Sequence, residues 1–151
     1  MKLQSSKIMM FVLMGVLFLS VSSVYADTVD EYMKKAGEIS LNSAKQDQKY
    51  TFQLNELMNK LDRKEIDSDT YHNDSATLIR NYIDYLSNAI VELKNLNPPE
   101  SLIKYHELLL KYLEEMKMAE ECYLSGYVAC WKQRKSKANE YMSDASKEFK
   151  Q

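Results

Sequence analysis

Apolar residues return every three or four positions along this chain, over four separate stretches. The first covers about 28–61, with Val29, Tyr32, Met33, Ala36 and Ile39 followed by Tyr50, Leu54, Leu57, Met58 and Leu61. That spacing places one apolar face on a helix. Between Asn42 and Lys49 the stripe fades to Ser43, Ala44, Gln46 and Asp47, which fits a kink, a frayed segment or a polar patch in the seam. A charged run from Asp62 to Asp69 follows as a solvated connector, with Asp67, Ser68 or Asp69 available to cap the next helix. The second stretch, about 70–96, repeats without lapse through Ala76, Ile79, Tyr82, Ile83, Leu86, Ala89, Ile90, Leu93 and Leu96. Pro98 and Pro99 end it, because proline lacks the N–H that a helix interior needs. Asn97 and Glu100 then have the spacing of a capping box for a third helix over about 98–125. Its inward positions include Leu102, Tyr105, His106, Leu109, Leu110, Tyr112, Leu113, Met116, Ala119 and Tyr123. The fourth stretch, about 127–149, carries Val128, Trp131, Ala138, Tyr141, Met142, Ala145 and Phe149.

Four amphipathic helices with short connections bury their stripes most simply as an antiparallel up-down-up-down bundle. The expected fold class is therefore all-α. Past residue 26 the supply of Gly and Pro is Gly37, Gly126, Pro98 and Pro99, far too little for the turns of a sandwich or barrel.

Cys122 and Cys130 sit on either side of Gly126 and are the chain's two cysteines. On one unbroken helix they would stand about 12 Å apart, and a disulfide needs roughly 4.4–6.8 Å between Cα atoms. A bond between them thus requires a turn near Gly126. The alternatives are two free thiols on one long helix, leaving three helices, or a bridge between chains.

The amino terminus reads as an export signal. Lys2 and Lys7 precede an apolar run from Ile8 to Leu19, and Val24-Tyr25-Ala26 offers small residues at the −3 and −1 positions of a cleavage site. The expectation is a signal peptide over 1–26, cleaved after Ala26, and one domain over 27–151 in the periplasm or the medium of a bacterium. The apolar run is short of the roughly 20 residues of a membrane span, and no later stretch approaches that length, so the mature part has no transmembrane segment. An oxidising compartment favours the intramolecular Cys122–Cys130 bond.

Charge sharpens the picture of neighbours. The formal charge is −2, and it becomes −4 once Lys2 and Lys7 are removed. This mild acidity disfavours nucleic acid as a partner. Residues 98–125 hold six acids against three lysines, and residues 126–151 hold six bases against three acids. Adjacent antiparallel third and fourth helices would pair along their rims.

Candidate chemistry is sparse. His106 stands on an apolar face, and with Met116, Tyr105 and Tyr112 it is the candidate site for haem, a metal or an apolar ligand inside the bundle. A histidine so placed more often makes one hydrogen bond and fills space. His72 follows Asp69 by three, but the chain has no Glu-x-x-His of the di-iron kind. Cys-x-x-Cys-His haem attachment is missing, as are a phosphate loop and a Ser/His/Asp order on a strand-turn-helix frame. The reading is non-enzymatic, with no cofactor and no metal site assigned. Trp131, Lys132, Arg134, Lys135 and Lys137 form a basic cluster that fits contact with an anionic surface, or a solvated face opposite the acidic third helix. The tyrosines, eleven in the chain, suit a binding groove or a bundle boundary.

The stretch Leu96-Asn97-Pro98-Pro99-Glu100-Ser101-Leu102, followed by His106, Leu109 and Leu110, resembles a pattern in uncharacterised exported bacterial helical proteins. There a Pro-Pro turn opens a helix bearing a histidine and paired leucines, and a glycine hinge follows one helix later. The resemblance spans roughly residues 78–150. It implies a helical bundle and supplies no active site. The expected function is an exported protein-interaction or envelope-associated binding module, partner unknown. The alternative is a ligand carrier centred on His106.

Overall fold

The computed structural model describes residues 25–148. The expected signal peptide falls almost wholly outside the described residues, as does Phe149. Among the described residues there are four α-helices: α1 Tyr25–Asp62, α2 Ser68–Lys94, α3 Ile103–Leu124 and α4 Val128–Glu148. They pack as an all-α four-helix bundle, with α1 on α2, α2 on α3, and α3 on α4.

Side-chain pairs between helices fix the directions. Tyr32 meets His106 and Tyr50 meets Glu120, so α1 and α3 run the same way. Lys104 pairs with Glu148, and Arg134 with Glu115, so α4 runs against α3. The order is up-down-up-down.

The helix ends follow from local chemistry. At the end of α1, Lys64 takes a left-handed φ of 59°. Its N–H donates to the Leu61 carbonyl at 2.9 Å, and the Glu65 N–H donates to Lys60 at 2.9 Å. This is the Schellman pairing that satisfies the last carbonyls of a helix. α2 opens on Asp67, whose Oδ1 accepts the Thr70 N–H at 2.7 Å. α3 departs from the sequence expectation. Neither Asn97 nor Glu100 builds a capping box. Pro99 is extended, with ψ 151°, and a short 3-10 turn over Glu100–Leu102 leads into the helix without a side-chain cap. A residue before proline is pushed out of helical geometry, so Asn97 and Pro98 stay extended and the helix starts too late for Asn97 to reach it.

The turn at Gly126 is as required by the cysteines. Gly126 has φ 79°, its N–H donates to Tyr123 at 3.0 Å, and the Tyr127 N–H donates to Cys122 at 2.9 Å. This second Schellman turn needs a left-handed residue, which glycine supplies without steric cost. Cys122 and Cys130 are bonded, with Cα atoms 5.8 Å apart. The single long helix is excluded.

The core is built unequally. α2 gives Ile79, Tyr82, Leu86, Ala89, Ile90 and Leu93, and α3 gives Leu109, Leu113, Met116 and Ala119. α4 buries only Ala138 and Ala145. Small side chains let the α4 backbone lie close to α3, and Val128, placed inward by its spacing, is instead 49% exposed. Its position beside the turn, before α4 settles on α3, accounts for this.

Candidate functional site

The polar residues that the fold brings together lie in a seam between α1, α3 and α4. The fading of the stripe over 42–49 is a polar patch in an unbroken helix, not a kink. Ser43 is buried and turns its hydroxyl back to the Ile39 carbonyl at 2.8 Å. One turn later Asp47 accepts a hydrogen bond from the Tyr82 hydroxyl at 3.1 Å and faces the Lys135 ammonium at 3.4 Å. Lys135 Nζ also lies 3.0 Å from Oε1 of Glu120, a residue only 1% exposed. That contact is an ion pair without a well-aligned hydrogen bond, since Oε1 has no hydrogen-bond partner. Glu120 Oε2 is better served and accepts from the Tyr50 hydroxyl at 2.7 Å. The Tyr50 and Tyr82 rings stack at 4.6 Å and roof the group.

Electrostatics keep Lys135 charged. Burial acts against its ammonium, but Asp47 and Glu120 outweigh burial and hold its pKa above the ordinary value. The tyrosines keep their protons. Burial first, and then neighbouring carboxylates, raise Tyr50 and Tyr82 far above the usual phenol range. Burial followed by Asp47 does the same to Tyr112.

One turn away, buried Glu115 accepts from Arg134 Nη1 at 3.0 and 3.2 Å and pairs with Lys137 at 3.0 Å. Burial would raise this carboxyl, yet hydrogen bonds from Lys137 and Arg134 hold it below its ordinary value. Three of the four cations in the basic cluster are thus committed to acids within the chain. Lys132 stays exposed, and Trp131 packs against Tyr123 with ring centroids 5.7 Å apart. The cluster is a clasp holding α4 on α3 and α1 more than an outward-facing surface.

His106 is closed off in a different way. It is buried, and Nδ1 is 2.9 Å from the Tyr32 hydroxyl in a hydrogen bond whose direction follows the imidazole tautomer. Burial lowers its pKa, against a small opposing pull from Glu107. The neutral ring is the folded form at pH 7. Met116 is in the core, ten residues along α3 and so about 15 Å from His106, too far for the two to share an iron. Tyr105 packs on the core beside Tyr32. Tyr112 lines a void of about 10 Å³ with Ala36, Ile39, Ser40, Leu93, Leu109 and Leu113. Such a void has room for one water. The four residues grouped as a ligand site do not converge on a common cavity. Among the described residues, no group of three His, Cys, Asp or Glu side chains is placed to hold a metal ion.

Stability should report the His106 burial. The unfolded imidazole takes up its proton near pH 6.5, whereas the folded one resists until lower pH. The contribution is intact above the unfolded pKa and is lost as pH falls towards the folded one. Urea midpoints are expected to drop between pH 7.5 and 5.5 in the wild type and to drop less in His106→Gln. Equal drops would show that His106 does not carry this dependence.

The bundle differs at its two ends. Phe52 and Met58 of α1 are 65% and 47% exposed, and Tyr127 beside the disulfide turn is 69% exposed. Because α1 and α3 are parallel and Tyr50 meets Glu120, all three lie toward the same end. Sequence spacing placed Met58 on the inward stripe. It is exposed because α1 runs on past the end of α3. No helix among the described residues is long and apolar enough to cross a membrane.

No family model matches this chain, and no curated protein or solved structure is detectably similar to it.

Proposed function

We propose that the protein is an exported, non-enzymatic interaction module that presents its outer helical surface to a protein or envelope component. The observation that carries this reading is that, of the six large hydrophobics exposed among the described residues, Phe52, Met58, Tyr127 and Val128 lie in the half of the bundle that holds the Gly126 turn, with Val91 and Ile103 elsewhere. Exposed apolar side chains scattered singly carry no meaning, but a grouping of them marks a contact surface. The interior supports the same choice, since its charged groups are paired with one another and His106 is engaged by Tyr32. Export rests on Lys2, Lys7, the apolar run and Val24-Tyr25-Ala26, and it agrees with a structural disulfide. The resemblance over residues 78–150 points to the same class of exported bundle.

The test is capture from an envelope extract by the immobilised protein, alongside a Phe52→Ser/Met58→Ser/Tyr127→Ser variant. All three positions are exposed, so the variant should keep its fold. A partner retained by the wild type and lost by the variant is expected. Equal capture by both would contradict this placement of the surface. Haem, metal or an extractable apolar ligand co-purifying with the wild type and lost in His106→Gln would replace the reading with the carrier.

A further inference from the structure

The end of α1 and its connection to α2 outrun the rest of the bundle. Tyr50 stands level with Glu120, and α3 ends four residues later at Leu124, while α1 continues to Asp62. The end of α1 therefore projects about 12 Å beyond the end of α3, and the connection and the first turn of α2 lie beside it. The change in burial marks the same point. Tyr50 and Ser75 are buried, and nothing between them is. The apolar spacing does not stop with the cover. Leu57, Met58, Leu61 and Ile66 continue it along the end of α1 and around the connection, each half-buried or exposed, whereas Tyr71 of α2 still reaches Tyr123 of α3. Two helices side by side leave a groove, and here no third helix fills it.

The charge around the projection indicates what would. Residues 55–75 hold six acids against three bases. Arg63 is tied to Glu65 at 2.8 Å, and Asp67 is used as the cap of α2. Glu56, Asp62, Asp69 and Asp74 are exposed, and among the described residues none of them forms an ion pair. A second copy would bring the same excess of acid, and an anionic lipid surface would be repelled. We infer that the projecting α1–α2 tip is a docking groove for a basic amphipathic helix of a partner protein, whose apolar face completes the local bundle and whose lysines or arginines meet the free carboxylates. This rests on the surface-module reading and narrows it to one site and one chemistry.

The probe is a synthetic amphipathic helical peptide of lysine and leucine, titrated against the disulfide-bonded protein, with a glutamate–leucine peptide as control. The basic peptide should bind, weaken as salt rises, and gain helicity. The acidic one should not bind. Met58→Asp should weaken binding about tenfold. Because that variant alters packing, Asp62→Lys/Asp69→Lys supplies a second arm that leaves the apolar face intact, and it should weaken binding by a similar factor. Val91→Ser, on exposed surface of α2 away from the tip, should bind as the wild type does. Equal binding by all variants, or binding of both peptides alike, would overturn the inference. So would self-association that Met58→Asp abolishes. If envelope capture depends on Phe52 and Tyr127 while the basic peptide fails to bind, the surface reading stands and the groove does not.

Discussion

Replacing Lys135 with methionine is expected to cost about 3–5 kcal/mol of stability, the largest loss for any single change in the polar seam. The size follows from what is left behind. Glu120 is 1% exposed, and its Oε1 has the Lys135 ammonium, 3.0 Å away, as its compensation. Methionine fills much of the lysine stem's volume but leaves that carboxyl buried without its counter-ion, next to Asp47. A buried ion pair adds little over well-packed apolar residues, whereas half of one is strongly unfavourable. The double variant Lys135→Met/Glu120→Leu should therefore recover much of the loss, although the Tyr50 hydroxyl then lacks its acceptor. Urea unfolding at pH 7 reads all three proteins. A single variant within about 1 kcal/mol of the wild type would mean that water reaches Glu120 freely and the seam is not closed.

Removing the disulfide by Cys122→Ser/Cys130→Ser should cost about 2–3 kcal/mol, the value expected for closing so short a loop. The fold should survive at 25 °C, because Ala119, Ala138 and Ala145 still seat α4 on α3 and Glu115 still holds Arg134 and Lys137. Helical circular dichroism should be unchanged, with a lower urea midpoint, and reducing the wild type should give the same shift. Loss of helicity on reduction would mean that α4 depends on the bond for its place. An unchanged midpoint would mean that the unfolded chain is already turned at Gly126.

These two sites mark where the sequence was readable and where it was not. The stripes of α2 and α3 were plain because those helices supply most of the core, and their apolar residues are large. α4 was harder, since it buries two alanines and keeps Trp131 and Tyr141 half-covered. The turn at Gly126 was legible on one condition, a bond between Cys122 and Cys130, and the structure meets that condition. The opposite charges of residues 98–125 and 126–151 anticipated α3 beside α4, and Glu115 with Arg134 and Lys137 is that pairing in detail.

Lys135 shows the limit. A lysine among other cations reads as solvated, and what draws it inward is Asp47, 88 residues away on α1. The trace of that contact in the sequence was the polar lapse at 42–49, which marked a place without naming its partner. Tyr32 and His106 are likewise 74 residues apart. Asn97 failed as a cap for a local reason, because two prolines hold the chain extended until Glu100. The projecting tip was hidden by its own regularity. The stripe of α1 continues evenly through Leu57 and Leu61, and only the lengths of α3 and α4 decide that nothing covers it.

Amide hydrogen exchange, measured with and without the captured envelope partner, tests most directly the claim that the interior is closed and the tip is the working surface. New protection is predicted over residues 51–74, with α3 and α4 unchanged around Glu115, Glu120 and Lys135. Protection that appears around His106 or along residues 131–137, and leaves 51–74 as open as before, would contradict it.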